Sequence, residues 1–273
     1  VVYVLHYYGG SEITHVRAVS QTMKRLLEDG DIEEMILVYP NANNRFGGSK
    51  YLSSPTIGDY ETYLTQDLVN FIDANFRTLA QRESRGVTGC SMGGDGAMYL
   101  ALVYPDVYSV AAPVSIMPDL MRDPQWEGAR AMLGEPPADF DEFRALPWQV
   151  QSYIALAAAV APNPDKPPFY LDMPYEMVDG EAQIVTEVMD KAIAKDMIHA
   201  LEGYLDQPIR LTNVLLYHGE FDPISPVEFV RDYDKLLSDK GVDHEYIELP
   251  AGHCSLNYAP VLQFMSDNLA FEE

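Results

Sequence analysis

The segment Gly89-Cys90-Ser91-Met92-Gly93, followed by Gly94, sets a serine between small residues in a G-x-S-x-G pattern. An apolar run ends at Cys90 and a helix-compatible run starts at Met92. A sharp strand-to-helix turn of this kind exposes the serine Oγ and aims backbone amides at developing negative charge. Five residues alone are a weak signal, since a glycine-rich helix start has the same spacing. The flanking strand and helix favour a nucleophile.

A serine attacks a carbonyl when a base takes its proton and an acid orients the base. Of the six histidines, His6 and His218 end strand-like runs, His15 begins a helix, His244 begins a strand and His199 lies in the stretch 118–208, read below as an insertion. His253, in Gly252-His253-Cys254, is the one in a loop after the last strand, beside a glycine. Asp222, in His218-Gly219-Glu220-Phe221-Asp222-Pro223, is preferred as the acid over Glu220, because it lies deeper in its loop and next to a turn-fixing proline. The chain order Ser91, Asp222, His253 is that of the α/β-hydrolases and not of other serine-triad folds. A tetrahedral intermediate also needs two N–H donors. The Met92 amide is one; the Tyr8 amide, in the loop His6-Tyr7-Tyr8-Gly9-Gly10, is assigned as the other.

These residues need a scaffold. Strand-like runs at 1–6, 34–39, 86–90, 110–116, 213–218 and 244–249 are nearly continuous in apolar residues, as in strands buried on both faces of a parallel sheet. Helical periodicity joins them at 16–27 (ended by Gly30), 64–72, 92–104 and 228–237. The alternation predicts an α/β sandwich. It breaks between Pro118 and Pro208, a proline-rich stretch holding both tryptophans, Trp126 and Trp148. Helices are expected there at 149–161 and 184–205, with stiff extended connections at 162–168 and no strand. The expectation is a single domain, 1–273, with 118–208 inserted as a lid. The chain opens inside a sheet, with no leader-like pattern before it.

Composition narrows the partners. The 273 residues include 42 acidic and 18 basic ones, a formal net charge of −24. Such a body repels phosphate backbones and anionic lipid, so neither nucleic acid nor a membrane is expected. A hydrophobic content of 47% argues against disorder. No Cys/His or carboxylate cluster has metal-site spacing, and no metal or cofactor is expected. Nothing in these residues specifies an oligomeric state.

The sequence resembles the esterase D, feruloyl esterase and mycolyltransferase-like branch of the α/β-hydrolases. The resemblance is carried by VYVLHYYGGSE (2–12), the long segment 35–78, SRGVTGCSMGG (84–94), PPFYLDMPY (167–175), HGEFDP and the GH of Gly252-His253. It implies a mostly parallel sheet flanked by helices, with Ser91, Asp222 and His253 as triad and Tyr8 and Met92 at the oxyanion hole. It also implies hydrolysis of short acyl or hydroxycinnamoyl esters, small or saccharide-linked, through an acyl-enzyme. Acyl transfer to a sugar or alcohol is the alternative, and a non-catalytic binding module with the same fold is a third. Two departures stand out: Tyr7 replaces the usual glycine, and the family's strands before the oxyanion loop are missing.

Both cysteines flank proposed triad members, Cys90 before Ser91 and Cys254 after His253. If serine and histidine meet, their neighbours come within disulfide range. The placement is similar to the CS-D-HC signature of fungal tannases and feruloyl esterases, and implies a Cys90–Cys254 bridge. The alternative is two reduced, buried thiols. An oxidised pair would favour an extracytoplasmic or secreted setting. Tyr7, Phe46, Tyr51 and Trp148 are candidates to border the acyl group. For the 46–60 segment the alternative is a loop capping the sheet, and for Trp126 and Trp148 it is core packing.

Overall fold

A computed structural model describes residues 1–122, 129–255 and 257–272. Trp126 lies outside them. The main sheet contains β1 (Val2–Leu5), β2 (Leu37–Val38), β3 (Gly86–Cys90), β4 (Val110–Val114), β5 (Asn213–Gly219) and β6 (Glu245–Leu249). Their order is β6-β5-β4-β3-β1-β2, and every pairing is parallel. The connecting helices are α1 (Val16–Asp29), α2 (residues 60–75), α3 (Met92–Val103), α4 (Trp148–Val160), α5 (Thr186–Ile193), α6 (Met197–Leu205), α7 (Val227–Asp239) and α8 (Ala259–Asn268). Within α2, Tyr63–Asp67 is wound as a π-helix.

Side-chain alternation along the strands divides the core in two. Tyr3, Leu5, Val87 and Ala111 face a layer built from α2, α3, α6 and α7. Val2, Val4, Val110 and Ala112 face α1 and α8 on the other side. Each buried valine or leucine contributes roughly 1.5–3 kcal/mol, which explains why the central strands carry almost no polar side chains. Gly30 ends α1 as expected: at φ 76° it takes the left-handed conformation, and the Asp31 amide reaches back to the Leu26 carbonyl.

Four expectations are corrected. The 34–39 strand is only Leu37–Val38, because Pro40 has no N–H to continue a ladder. The inserted stretch does contain strands, a hairpin of Tyr175–Val178 and Glu181–Ile184. Its turn is Asp179-Gly180, both at positive φ (53° and 82°), the Asp-Gly pair that tight hairpins favour. The helix expected over 184–205 is two, α5 and α6, with Asp196 capping the second by accepting from the His199 amide at 2.9 Å. The proline segment folds back through turns instead of extending, so that Pro162 bridges Leu171.

Residues of the inserted stretch pack around their own core, in which Phe143, Ile154, Phe169 and Tyr175 enclose Phe46 from the first half of the chain. The chain rejoins the main core at Met197, Leu201 and Tyr204 of α6.

Candidate active site

The loops after the parallel strands all leave from one end of the sheet, and the chemistry-bearing residues gather there. Ser91 occupies the turn between β3 and α3 with φ 58° and ψ −126°, a conformation costing roughly 1–3 kcal/mol for a residue with a Cβ. The residues two before and two after it must be glycine. A Cβ on Gly89 would stand 2.6 Å from the Leu5 carbonyl oxygen, and one on Gly93 would run into the same group. The Ser91 amide donates to the Val114 carbonyl at 3.0 Å, while the Ser91 carbonyl accepts from the Asp95 amide at 2.8 Å. Met92 is the first residue of α3, so its N–H has no intrahelical acceptor.

Tyr8 lies on the same cleft as Ser91 and Met92. Its loop is fastened from several directions. The Gly9 amide donates to the Gly47 carbonyl at 2.8 Å, the Tyr8 hydroxyl to the Phe46 carbonyl at 2.6 Å, and the Tyr51 hydroxyl to the His6 carbonyl at 2.8 Å. His6 Nε2 accepts from the Ala42 amide at 2.9 Å, leaving Nδ1 to donate to the Tyr7 carbonyl. Burial lowers the His6 pKa, consistent with a neutral ring bracing the loop. A Cβ on Gly48 would stand 2.6 Å from Met92 Sδ, so the 46–51 loop is seated against both amide-bearing residues.

Asp222 and His253 meet: Oδ2 accepts from Nδ1 at 2.7 Å. Asp222 Oδ1 accepts from the Ile224 and Ser225 amides, each at 2.9 Å. Burial by itself would raise this carboxyl, but the hydrogen bonds from His253, Ser225 and Ile224 outweigh it and hold the pKa below the ordinary carboxylate value. The Asp222 side chain is fully buried and that of His253 is 15% exposed. Glu220 points into solvent, so the carboxylate brought to the histidine is that of Asp222. His218 lies alongside, 3.8 Å from Asp222 Oδ2, and gives its Nε2 proton to the Ser225 carbonyl. Burial lowers its pKa and keeps it from acting as a second charged partner.

Cys90 and Cys254 are joined by a disulfide with Cα atoms 5.9 Å apart. It ties the residue before Ser91 to the residue after His253. Cys254 itself has φ 51°, and its amide donates to Ser115 Oγ at 3.2 Å. Among the described residues, no hydrogen bond joins Ser91 Oγ to His253.

Ser91 opens into a cleft whose walls include Tyr8, Lys50, Trp148, Ser152 and Leu156. A second limb shares Lys50, Met92 and Leu156 and continues to Tyr99, Lys195 and Met197. Trp148 stands at the cleft, 43% exposed. Tyr7 is exposed beside the loop, its ring edge-on to His15 at 5.5 Å. Phe46 and Tyr51 correct the expectation of direct contact with a ligand. Both are fully buried, Phe46 among Phe140, Phe143 and Phe169, and Tyr51 against Gly96 of α3. Lys50, Asp95 and Ser152 line the cleft although no motif in the sequence singled them out. Among the described residues no group of three or more His, Cys, Asp or Glu could hold a metal ion, and no helix is long and apolar enough to cross a membrane.

Residues 1–200 match the family model described as putative esterase. An esterase of Mycobacterium tuberculosis is 28% identical over 191 residues, covering 60% of this chain and 40% of that protein. The chain thus spans about two fifths of the length of that relative. An endo-1,4-beta-xylanase/feruloyl esterase of Xylanibacter ruminicola is 30% identical over 132 residues, covering 46% of this chain and 18% of the relative. Among solved structures, a ferulic acid esterase superposes with a TM-score of 0.63 at 18% identity, covering 98% of this chain and 85% of the other. An S-formylglutathione hydrolase of Staphylococcus aureus gives 0.59 at 15% identity, covering 96% and 80%. At these identities the superpositions establish the fold, that of the α/β-hydrolases.

Proposed function

Because the chain belongs to the putative esterase family, we propose that it is a serine carboxylesterase working through Ser91, His253 and Asp222. The observation that carries the reading is the buried Asp222–His253 hydrogen bond, tied by a disulfide to the strained turn bearing Ser91. With Nδ1 committed to Asp222, the other ring nitrogen of His253 is the one to take the Ser91 proton. Ser91 Oγ attacks the ester carbonyl, and the oxyanion is received by the Tyr8 and Met92 amides. His253 then protonates the departing alcohol. Water, deprotonated by the same histidine, releases the acid from the acyl-enzyme.

Residues 118–208 act as a cap that shapes the cleft: Trp148, Ser152, Tyr153 and Leu156, all on α4, line it. Trp148 offers an aromatic wall to a short acyl or hydroxycinnamoyl ester, the second class in keeping with the feruloyl esterases among the relatives. Substitution of Ser91 by alanine tests the reading. Turnover of 4-nitrophenyl acetate is expected to fall by about 10³-fold or more, together with loss of labelling by a fluorophosphonate. Near-normal turnover by Ser91→Ala would overturn it.

A further inference from the structure

The loops that carry Ser91, His253 and Asp222 are each hydrogen-bonded to a different one of three consecutive residues at the end of β4 and just beyond it. The Ser91 amide donates to the Val114 carbonyl at 3.0 Å. The Cys254 amide, one residue after His253, donates to Ser115 Oγ at 3.2 Å. The Ser225 hydroxyl, in the loop of Asp222, donates to the Ile116 carbonyl. Ser115 turns the chain there in the left-handed region, at φ 50°, and its own amide is tied to the Tyr217 carbonyl at 3.1 Å. Such conformations persist where the surroundings over-determine them, and they cluster at functional sites.

The nucleophile is tied to this segment through main-chain atoms, and the histidine loop is also held by the disulfide. The acid loop is joined to it by a side chain, and Ser225 is the joint. Ser225 is 1% exposed, and all three of its polar groups are engaged. Its amide donates to Asp222 Oδ1 at 2.9 Å, its hydroxyl to the Ile116 carbonyl, and its carbonyl accepts from His218 Nε2 at 2.8 Å. His218, fully buried near the end of β5, commits its ring to that one bond. Its Nε2 is 3.8 Å from Asp222 Oδ2, too far to share the proton, and among the described residues its Nδ1 has no hydrogen-bond partner. A buried nitrogen without a partner costs stability, so the imidazole is a poor residue for packing alone. What it supplies is a rigid donor to a carbonyl seven residues further on.

We propose that Ser225, backed by His218, is a positioning residue of the reaction and acts through Asp222. The proposal rests on the serine esterase reading above. The residue whose amide grips Asp222 Oδ1 is pinned by its hydroxyl to the segment that also receives the Ser91 amide. The acid is thereby set relative to the nucleophile. Without the hydroxyl, the carboxylate keeps the Ile224 and Ser225 amides, but the turn that carries all three is free to shift as a body. A shift of about 1 Å in a group oriented for catalysis costs about 10²-fold in rate.

The test measures 4-nitrophenyl acetate hydrolysis per active site, the sites being counted by exhaustive fluorophosphonate labelling. Ser225→Ala is expected to lower kcat by about 10- to 100-fold, with KM within about twofold of the wild type. Ser225→Thr, which keeps the hydroxyl, is expected to hold kcat within about threefold. In an Asp222→Asn background the Ser225→Ala change is expected to cost less than about twofold, because the carboxylate it orients is already gone. A merely structural role would lower the labelled fraction and the melting temperature, and would carry the same factor into both backgrounds. His218→Leu removes the donor to the Ser225 carbonyl and His218→Gln keeps one; the first is expected to behave as Ser225→Ala does and the second as Ser225→Thr does. This pair reads the same joint if Ser225→Ala does not fold. A kcat within about twofold of the wild type in Ser225→Ala or His218→Leu, or an undiminished factor in the Asp222→Asn background, would overturn the proposal. If Asp222→Asn itself keeps kcat, the triad reading falls and this role with it. A loss of about 10³-fold in Asp222→Asn beside an unaffected Ser225→Ala overturns only the positioning role.

Discussion

The Cys90–Cys254 bridge does two things that one double substitution can separate. It closes a sequence separation of 164 residues, for which chain entropy sets a ceiling of about 5 kcal/mol on stabilisation, with 2–4 kcal/mol the usual outcome. It also holds Cys254 at φ 51°, which costs a residue with a Cβ roughly 1–2 kcal/mol. Release of the bridge lets that residue return toward ordinary backbone angles, and the adjacent His253 moves with it. For Cys90→Ala/Cys254→Ala the melting temperature is expected to drop by about 10 °C, taking about 3 °C per kcal/mol for a chain of this size. More tellingly, kcat on 4-nitrophenyl acetate is expected to fall by about tenfold or more at a temperature where the variant is folded, with KM moving less, since misplacing a catalytic base costs the transition state first. Calorimetry and steady-state kinetics on the same preparation read both effects. A variant that melts lower but keeps kcat within about twofold would show that the bridge staples the chain and has no part in placing His253.

Asp222→Asn is expected to lower kcat by about 10³–10⁴-fold, because an amide nitrogen cannot accept the Nδ1 proton and so favours the wrong tautomer; Glu220→Gln, at an exposed site, is expected to stay within about twofold. Equal losses in the two variants would undo the assignment of the acid. His15 is buried, with burial the larger cause and His6 the smaller of a pKa lowered to about 4. As pH falls from 6.5 toward 4 the unfolded chain takes up this proton and the folded one does not, so up to about 3 kcal/mol of stability is lost across that window. His15→Phe, which keeps a ring between Tyr7 and Tyr258, is expected to flatten the dependence of the urea midpoint on pH there, and an unchanged slope would refute it.

What the sequence made legible follows from range. The run 86–90 is all apolar or small because both its faces are covered, and it forms β3 with those bounds. Gly93 is required by a clash with one carbonyl, and that need is local enough to show as a motif. The hairpin around Asp179-Gly180 had a readable turn, but its strands are half-exposed and alternate weakly, so the periodicity was too faint to place them. The split between α5 and α6 depends on one aspartate capping, which competes poorly with a continuous helical pattern. Phe46 and Tyr51 look like ligand residues because they are aromatic and sit beside glycines. Those glycines instead let the loop pack tightly against Tyr8 and Met92, which turns the rings inward. Lys50 and Ser152 are 102 residues apart and meet only once α4 has folded against the 46–52 loop.

The same division of range separates chemistry from selectivity in this molecule. The residues proposed to react sit on loops at one end of the parallel sheet, and these loops are fastened together: Gly9 to Gly47, Cys90 to Cys254, Cys254 to Ser115, Asp222 to His253. Such cross-linking before any substrate arrives is what lets fixed dipoles stabilise an oxyanion without reorganising. The cleft walls are different in kind. Trp148, Ser152 and Leu156 project from one helix of the inserted stretch, and Lys50 from a left-handed turn opposite it. Changes in α4 or in the 46–52 loop can therefore reshape the cleft while leaving the fastenings of the elbow and the histidine loop in place. Selection for a new ester would act there first.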